Sequence, residues 1–227
     1  MIIKNYFLTN ETEVKNKKFN IYIGISVRNN YFSEEHIKRY LDWALENTNE
    51  KVAILIADEI QAINDEIFFN LSKDSAKKTA FKKGSQVKRL CEKIIAKYLQ
   101  DIQKKIIIVR WKDVINSFDY KKNRCLIFDE FNTNILFRNY VLNYIKNLFS
   151  DKSFTLNELE KLSEYYLSEL SVFLNGFIFE NIHYNLLPYP AIGLFEFVCK
   201  LKKGLIFPEL SKKLFIKTKT AYIEGYV

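Results

Sequence analysis

Val52-Ala-Ile-Leu-Ile-Ala57 constrains the fold more than any other stretch of the chain. Six apolar residues in a row leave no polar face, so a strand built from them must be covered on both sides. Such strands lie inside parallel sheets flanked by helices. Neighbouring segments supply matching parts. Phe19-Asn-Ile-Tyr-Ile-Gly-Ile25 alternates, placing Phe19, Ile21, Ile23 and Ile25 on one face and Asn20, Tyr22, Gly24 and Ser26 on the other. Ile106-Ile-Ile-Val109 is a further buried strand. Between strands, Ser33 caps a helix with Glu34 and Glu35 in its first turn, where the helix dipole favours acids. Ile37, Tyr40, Leu41, Ala44 and Leu45 form its apolar stripe. Val87, Leu90, Cys91, Ile94, Ile95, Tyr98, Leu99 and Ile102 predict one long helix. Another is expected from about Asn134 to Phe149, and the capping box Thr155-Leu-Asn-Glu158 opens a helix to about Leu174. Strands alternating with helices predict a parallel α/β sheet. Sites in such sheets lie beyond the C-terminal strand ends, and Ser26 falls at one.

With 227 residues, 48% of them hydrophobic, the chain can bury a full core without disulfides or metal. Six Gly and three Pro leave no flexible linker, so residues 1–227 are expected to form a single domain. No apolar run approaches the roughly 18 residues of a membrane span, and the N-terminal segment is polar after its third residue. Cys91, Cys125 and Cys199 are odd in number and widely spaced, without a C-x-x-C, so neither a disulfide framework nor a zinc site is expected. A cytoplasmic protein fits. The net charge of +8 suggests a polyanion partner. The same excess also follows from a composition rich in Lys, Asn and Ile with no binding role.

No G-x-G-x-x-G or G-x-x-x-x-G-K-[ST] is present, so neither a dinucleotide nor a P-loop site is signalled. HIGH- and KMSKS-type adenylate-binding motifs are also missing. Arg at position 28 removes the G-x-S-x-G elbow around Ser26. Of the two histidines, His36 reads as solvated on its capped helix and His183 as a core or rim residue.

Three pieces remain. In Gly24-Ile-Ser26-Val-Arg-Asn29-Asn-Tyr-Phe32, Gly24 shares a strand face with Ser26, so a substrate can approach the backbone beside a possible nucleophile. An ordinary turn uses the same residue types. In Tyr165-Tyr-Leu-Ser-Glu169, Tyr165 and Glu169 are four apart and adjacent on a helix, at the margin of its apolar stripe. A partly desolvated carboxylate there could hold an amino group or shuttle a proton; a rim salt bridge is the equal alternative. In Leu186-Leu-Pro188-Tyr189-Pro190, two prolines hold Tyr189 in place, either as a positioned phenol or as part of a rigid turn.

Together these pieces make the chain resemble the tRNA-dependent cyclodipeptide synthases. GIS-x-x-N-x-YF, Y-x-x-x-E and a Tyr-Pro pair twenty residues beyond the Glu follow the family's order and spacing from Gly24 to Pro190. Asn29 with Tyr189-Pro190 is similar to the Asn-Tyr-Pro type. Ser171 departs from a Pro common in the family.

The resemblance implies a Rossmann-like sheet, as in class I aminoacyl-tRNA synthetase catalytic domains, and two aminoacyl-tRNAs as substrates. It implies that Ser26 takes the first aminoacyl group, that a second aminoacyl-tRNA leads to a dipeptidyl-enzyme, and that cyclisation releases a 2,5-diketopiperazine. Tyr165 and Glu169 would hold the first amino group, Gly24 would contact the same moiety, Asn29 would brace the loop, and Tyr189 would orient groups or assist proton transfer. Tyr22, Val172 and Leu187 flank the motifs and are expected to line the first pocket. The implied tRNA-binding helix is matched by the basic run containing Lys82, Lys83, Lys88, Arg89, Lys93 and Lys97. No cofactor, metal or membrane is expected, and the expected state is a monomer. Two other readings stay open: a non-catalytic tRNA- or RNA-binding relative, indifferent to Ser26, and a serine hydrolase of small esters, which needs a general base near Ser26.

Overall fold

A computed structural model of the chain describes residues 1–190, 193–214, 216 and 219–227. In chain order its elements are β1 (Ile2–Phe7), α1 (Glu11–Lys15), β2 (Ile21–Ser26), α2 (Glu34–Asn47), β3 (Val52–Ala57), α3 (Gln61–Phe68), α4 (Lys73–Ile95) and α5 (Gln100–Gln103). There follow β4 (Ile106–Arg110), α6 (Trp111–Val114), α7 (Phe118–Thr133), α8 (Ile135–Leu148), α9 (Leu156–Asn175) and β5 (Phe177–Phe179). The chain closes with β6 (Ile182–Tyr184), β7 (Leu186–Tyr189), α10 (Gly193–Lys202), α11 (Pro208–Lys213) and β8 (Ala221–Tyr226).

The main sheet runs β1-β8-β7-β2-β3-β4. Five of its strands are parallel, as the apolar runs require, while β1 pairs antiparallel with β8 at one edge. The expected parallel sheet is thus extended by one antiparallel edge strand. The polar N-terminal segment can form β1 because an edge strand exposes one side to water. β5 and β6 form a separate hairpin.

All six residues of β3 are buried. Its alternate side chains supply two cores. Val52, Ile54 and Ile56 join Ile21, Ile23 and Ile25 of β2 beneath α2 and α4. Ala53, Leu55 and Ala57 face the other way with Tyr22, among residues of α6 to α11.

Local signals act as read for α2 and α9. Ser33 accepts from the His36 amide at 3.2 Å, and Thr155 and Glu158 form the reciprocal cap. α9 ends at Gly176, whose φ is +65° and where a Cβ would lie 2.0 Å from the Tyr184 carbonyl oxygen. The helix predicted from Val87 to Ile102 is two elements. α4 begins much earlier, behind the Ser72 cap, and ends at Ile95. Leu99 then turns extended, with its side chain in water, and opens α5.

The Leu186–Pro190 segment supplies a strand rather than a turn. β7 pairs with β2 at Ile21↔Leu186 and with β8 as far as Tyr189↔Glu224. The Leu186 amide donates to Asn20 on the β2 side. Pro188, two residues on, lacks the N–H that would continue this ladder. β2 therefore has a full partner in β3 and little pairing with β7 toward its C-terminal end. β2 is also where the sheet order switches direction, the place where such folds leave a crevice.

Candidate active site

A cavity of about 640 Å³ opens at that crevice. β2 contributes Tyr22, Gly24 and Ser26, α9 contributes Tyr165, Glu169 and Val172, and β7 contributes Leu187 and Tyr189. Asn29 joins from the loop after β2. The structure thus gathers around one space every residue singled out from the three motifs. The physical cause is the pairing of periods. Alternation along β2 turns Tyr22, Gly24 and Ser26 to one side. Helical spacing turns Tyr165, Glu169 and Val172 of α9 toward them. At Gly24 a Cβ would sit 3.5 Å from Leu187 Cδ1, so the glycine leaves the strand low beside Ser26.

Tyr165 is the hub. Its hydroxyl interacts with both Ser26 and Glu169 across the cavity wall. Burial first, then the Glu169 charge, raises its pKa well above the ordinary phenol value, so it stays protonated at neutral pH. Burial pushes the Glu169 pKa up to about 7, against a smaller lowering interaction with Tyr165. Glu169 is enclosed by protein but keeps a face on the cavity. It can therefore exchange a proton, or pair with a cation, near neutrality. Tyr189 is also raised, to about 12, by burial and by Glu169, against a smaller lowering interaction with Asn29. Asn29 is itself tied to the turn: its amide donates to Ser26 O at 3.1 Å, and its side chain accepts from the Tyr31 amide at 3.0 Å.

The depth of the cavity is apolar, with Leu55, Trp111, Val172, Leu187 and Phe195 all buried. Four lining residues are exposed and mark its mouth: Asn29, Phe69, Leu148 and Lys152.

Arg28 and Asp65 were not found from the sequence. Arg28 Nε and Nη2 donate to the two carboxylate oxygens of the fully buried Asp65 at 2.6 and 2.8 Å, and Gln61 donates to the same group. The pair spans 37 positions and joins the turn after β2 to α3, so no local spacing signals it.

The histidines lie elsewhere. His36 is half-buried rather than solvated: its Nδ1 lies 2.6 Å from the Tyr31 carbonyl oxygen and its ring packs on Tyr31. That carbonyl comes from the turn the helix cap creates, which is why the exposed-helix reading failed. His183 Nε2 lies 2.6 Å from the Asn175 carbonyl oxygen on the β5–β6 hairpin. Neither ring lines the cavity.

Of the basic run, Lys82, Lys83 and Arg89 are exposed on α4 and form no ion pair among the described residues. Lys88 pairs with Glu92. Lys93 and Lys97 both pair with Glu34 of α2, and Lys97 lies past the end of α4. Among the described residues, no helix is long and apolar enough to cross a membrane, and no cluster of three or more His, Cys, Asp or Glu could hold a metal ion.

Comparison with known proteins places this geometry. Residues 8–200 match the family model for cyclodipeptide synthase. The cyclo(L-leucyl-L-leucyl) synthase of Staphylococcus haemolyticus is 28% identical over 194 residues, covering 82% of this chain and 81% of that one. The solved cyclodipeptide synthase structure from that organism is 26% identical, covers 96% of each chain and has a TM-score of 0.75. A Mycobacterium tuberculosis protein whose structure relates cyclodipeptide synthetases to type I tRNA synthetases shares the fold, at 15% identity, 98% and 94% coverage and a TM-score of 0.73. So does a cyclodipeptide synthase from Candidatus Glomeribacter gigasporarum bound to Phe-tRNAPhe, at 14% identity, 96% and 93% coverage and a TM-score of 0.63. With the family model spanning most of its length and the motif residues around one cavity, the chain belongs to the cyclodipeptide synthase family.

Proposed function

We propose that this protein joins two aminoacyl groups, taken from two aminoacyl-tRNAs, into a 2,5-diketopiperazine by ping-pong catalysis through Ser26. The observation that carries this reading is the gathering of Ser26, Tyr165 and Glu169 at the wall of one apolar cavity. Asn29 with Tyr189-Pro190 puts the chain with the Asn-Tyr-Pro type in this proposal.

Ser26 Oγ attacks the carbonyl carbon of the first aminoacyl ester. The bond to the ribose oxygen breaks, and that oxygen leaves with a proton. An aminoacyl ester is already activated, so a serine without a histidine partner suffices. The first amino group rests on Tyr165 and Glu169. As the carboxylate, Glu169 pairs with the ammonium; with a pKa about 7 it can also accept the proton that frees the amine. The freed amine attacks the ester of the second aminoacyl-tRNA, whose tRNA leaves, giving a dipeptidyl ester on Ser26. The terminal amine of that dipeptide then attacks the seryl ester, closing the ring and releasing Ser26. Gly24 leaves room beside the reacting carbonyl, and Tyr189, braced by Asn29, orients the groups.

Tyr22, Val172 and Leu187 give the first pocket an apolar lining, matched to an aliphatic or aromatic first residue. The exposed Lys82, Lys83 and Arg89 of α4 supply a basic surface for tRNA, joined by Lys88, Lys93 and Lys97 when their acidic partners yield. The substrates are made in the cytoplasm, and the enzyme is proposed to act there.

The test is mass spectrometry of medium from bacteria expressing the chain, beside Ser26→Ala. New diketopiperazine masses that vanish in the variant are expected. Masses that persist in Ser26→Ala would overturn the covalent route. No product and no labelled aminoacyl-Ser26 would favour the non-catalytic RNA-binding relative.

A further inference from the structure

The mouth of the cavity carries an aromatic and cationic rim that the steps above do not use. Phe69 ends α3 with 52% of its surface exposed, although it lines the cavity. The Arg28 guanidinium stands 4.3 Å from the centre of its ring. That guanidinium is not free to wander, because its Nε and Nη2 are both held by the buried Asp65, which Gln61 also braces. Beside it, Lys152 sits 4.3 Å over the ring of Phe68. Phe68 packs edge-on against Phe149 and Phe154, so this part of the rim is fixed from behind.

An exposed aromatic ring on one fixed cation is an uncommon object beside a nucleophile. Burying Phe69 would stabilise the fold. The chain instead presents the ring in water at the mouth of the cavity. Arg28 follows Ser26 by two residues within the turn that the Asn29 amide closes on the Ser26 carbonyl, and both residues line the cavity with Phe69. Chemistry fixes what stands beside the reacting ester. The ester that Ser26 attacks is carried on a ribose, and the base of that nucleoside is one ribose away. A planar base stacks on an aromatic face and on a guanidinium, and a lysine beside it meets phosphate.

We propose that Phe69, with Arg28 behind it, is the stacking seat for the 3′-terminal nucleoside of the aminoacyl-tRNA, and that Lys152 faces the adjoining phosphate. This rests on the acyl-enzyme reading above. Stacking is tolerant of base identity, so the seat holds the common 3′ end and leaves selection of the amino acid to the apolar pocket.

Two measurements test it, with Phe69→Leu and Phe69→Tyr as variants. Phe69 is exposed, so both should fold; Arg28 is left alone because its loss would strand Asp65 in the interior. The first is binding of the trinucleotide CCA. About ten-fold weaker binding is expected for Phe69→Leu and near-native binding for Phe69→Tyr. The second is the rate of Ser26 acylation, read by intact mass, from the aminoacyl adenosine and from the cyanomethyl ester of the same amino acid. Phe69→Leu should lose about ten-fold in kcat/KM for the adenosine ester relative to the cyanomethyl ester.

Equal losses on both esters would make Phe69 part of the amino-acid pocket and overturn the proposal. CCA binding and acylation that ignore Phe69 would overturn it too, while leaving the acyl-enzyme intact. CCA binding that depends on Phe69, in a protein that never acylates Ser26, would overturn the acyl-enzyme reading and leave the seat standing.

Discussion

Ile54 and Leu55 are neighbours on β3, both buried, and they face opposite halves of the molecule. Ile54 points into an aliphatic core with Ile21, Ile23, Ile25 and Ile56, closed by Ile37 and Leu41 of α2 and by Cys91 and Ile94 of α4. Leu55 points to the side of Tyr22, Trp111 and Phe195, where packing stops short and leaves a cavity of about 640 Å³. One face is filled; the other is built of large rings that stand around a gap. The filled face holds the strands in register. The open face uses that rigidity to position Ser26, Gly24 and Tyr22 with no strand of its own to form. A site on rigid strands keeps its geometry even though part of its wall has no packing partner.

The largest expected effect separates the two faces directly. Ile54→Ala empties a closed core and should cost about 2–5 kcal/mol of stability. Leu55→Ala removes a side chain that already borders empty space and should cost less than half as much, while widening the substrate cavity. Urea unfolding of the two variants measures the difference. Equal losses would mean that the cavity wall is as tightly packed as the core.

Next comes the carboxyl group that the open face keeps partly desolvated. Burial raises the Glu169 pKa to about 7 in the folded protein, above its unfolded value. The folded state therefore holds a proton that the unfolded state releases. This contribution is fully present below the unfolded pKa and is lost as pH rises to about 7. Glu169→Gln does not titrate, so its stability advantage over the native chain should grow between pH 5 and pH 8. The gain should be on the order of 2 kcal/mol, allowing for water in the cavity. That corresponds to a Tm higher by roughly 4–8 °C at pH 8. The native protein is expected to show a rise in kcat/KM for Ser26 acylation through pH 7, and the same variant should lose it. A native-like pH profile in the variant would assign that rise to another group.

The smallest effect sharpens the comparison at a single atom. A Cβ on Gly24 would meet Leu187 Cδ1 at 3.5 Å, an ordinary contact, so Gly24→Ala should fold normally. It would still narrow the cavity beside Ser26. Discrimination against a bulky first residue should increase by about 1–3 kcal/mol, visible as a shift of the diketopiperazine products toward smaller side chains. An unaltered product spectrum would place the first residue away from Gly24.

Much of this was legible because it is periodic. Alternation placed Tyr22, Gly24 and Ser26 on one face of β2, and i,i+4 spacing joined Tyr165 to Glu169. Where the pattern is mixed, the elements were missed. α7 buries Asn123 along with Tyr120, Ile127 and Phe131 but exposes Phe118, so its stripe is blurred. β8 contains Gly225 and the buried Glu224, two residues unusual within a strand. Pro188 read as part of a turn; in the sheet it stands where the ladder between β2 and β7 gives out.

The sequence by itself determined the kind of sheet and the face of its own element on which each motif residue stands. These follow from spacing along one element, which the chain carries in any context. Only the tertiary structure decided that α9 lies against the Ser26 end of β2, that burial lifts Glu169 to about 7, and that Asp65 fixes Arg28 beneath the exposed ring of Phe69. Desolvation and charge pairing act through space, between groups that no spacing in the chain connects.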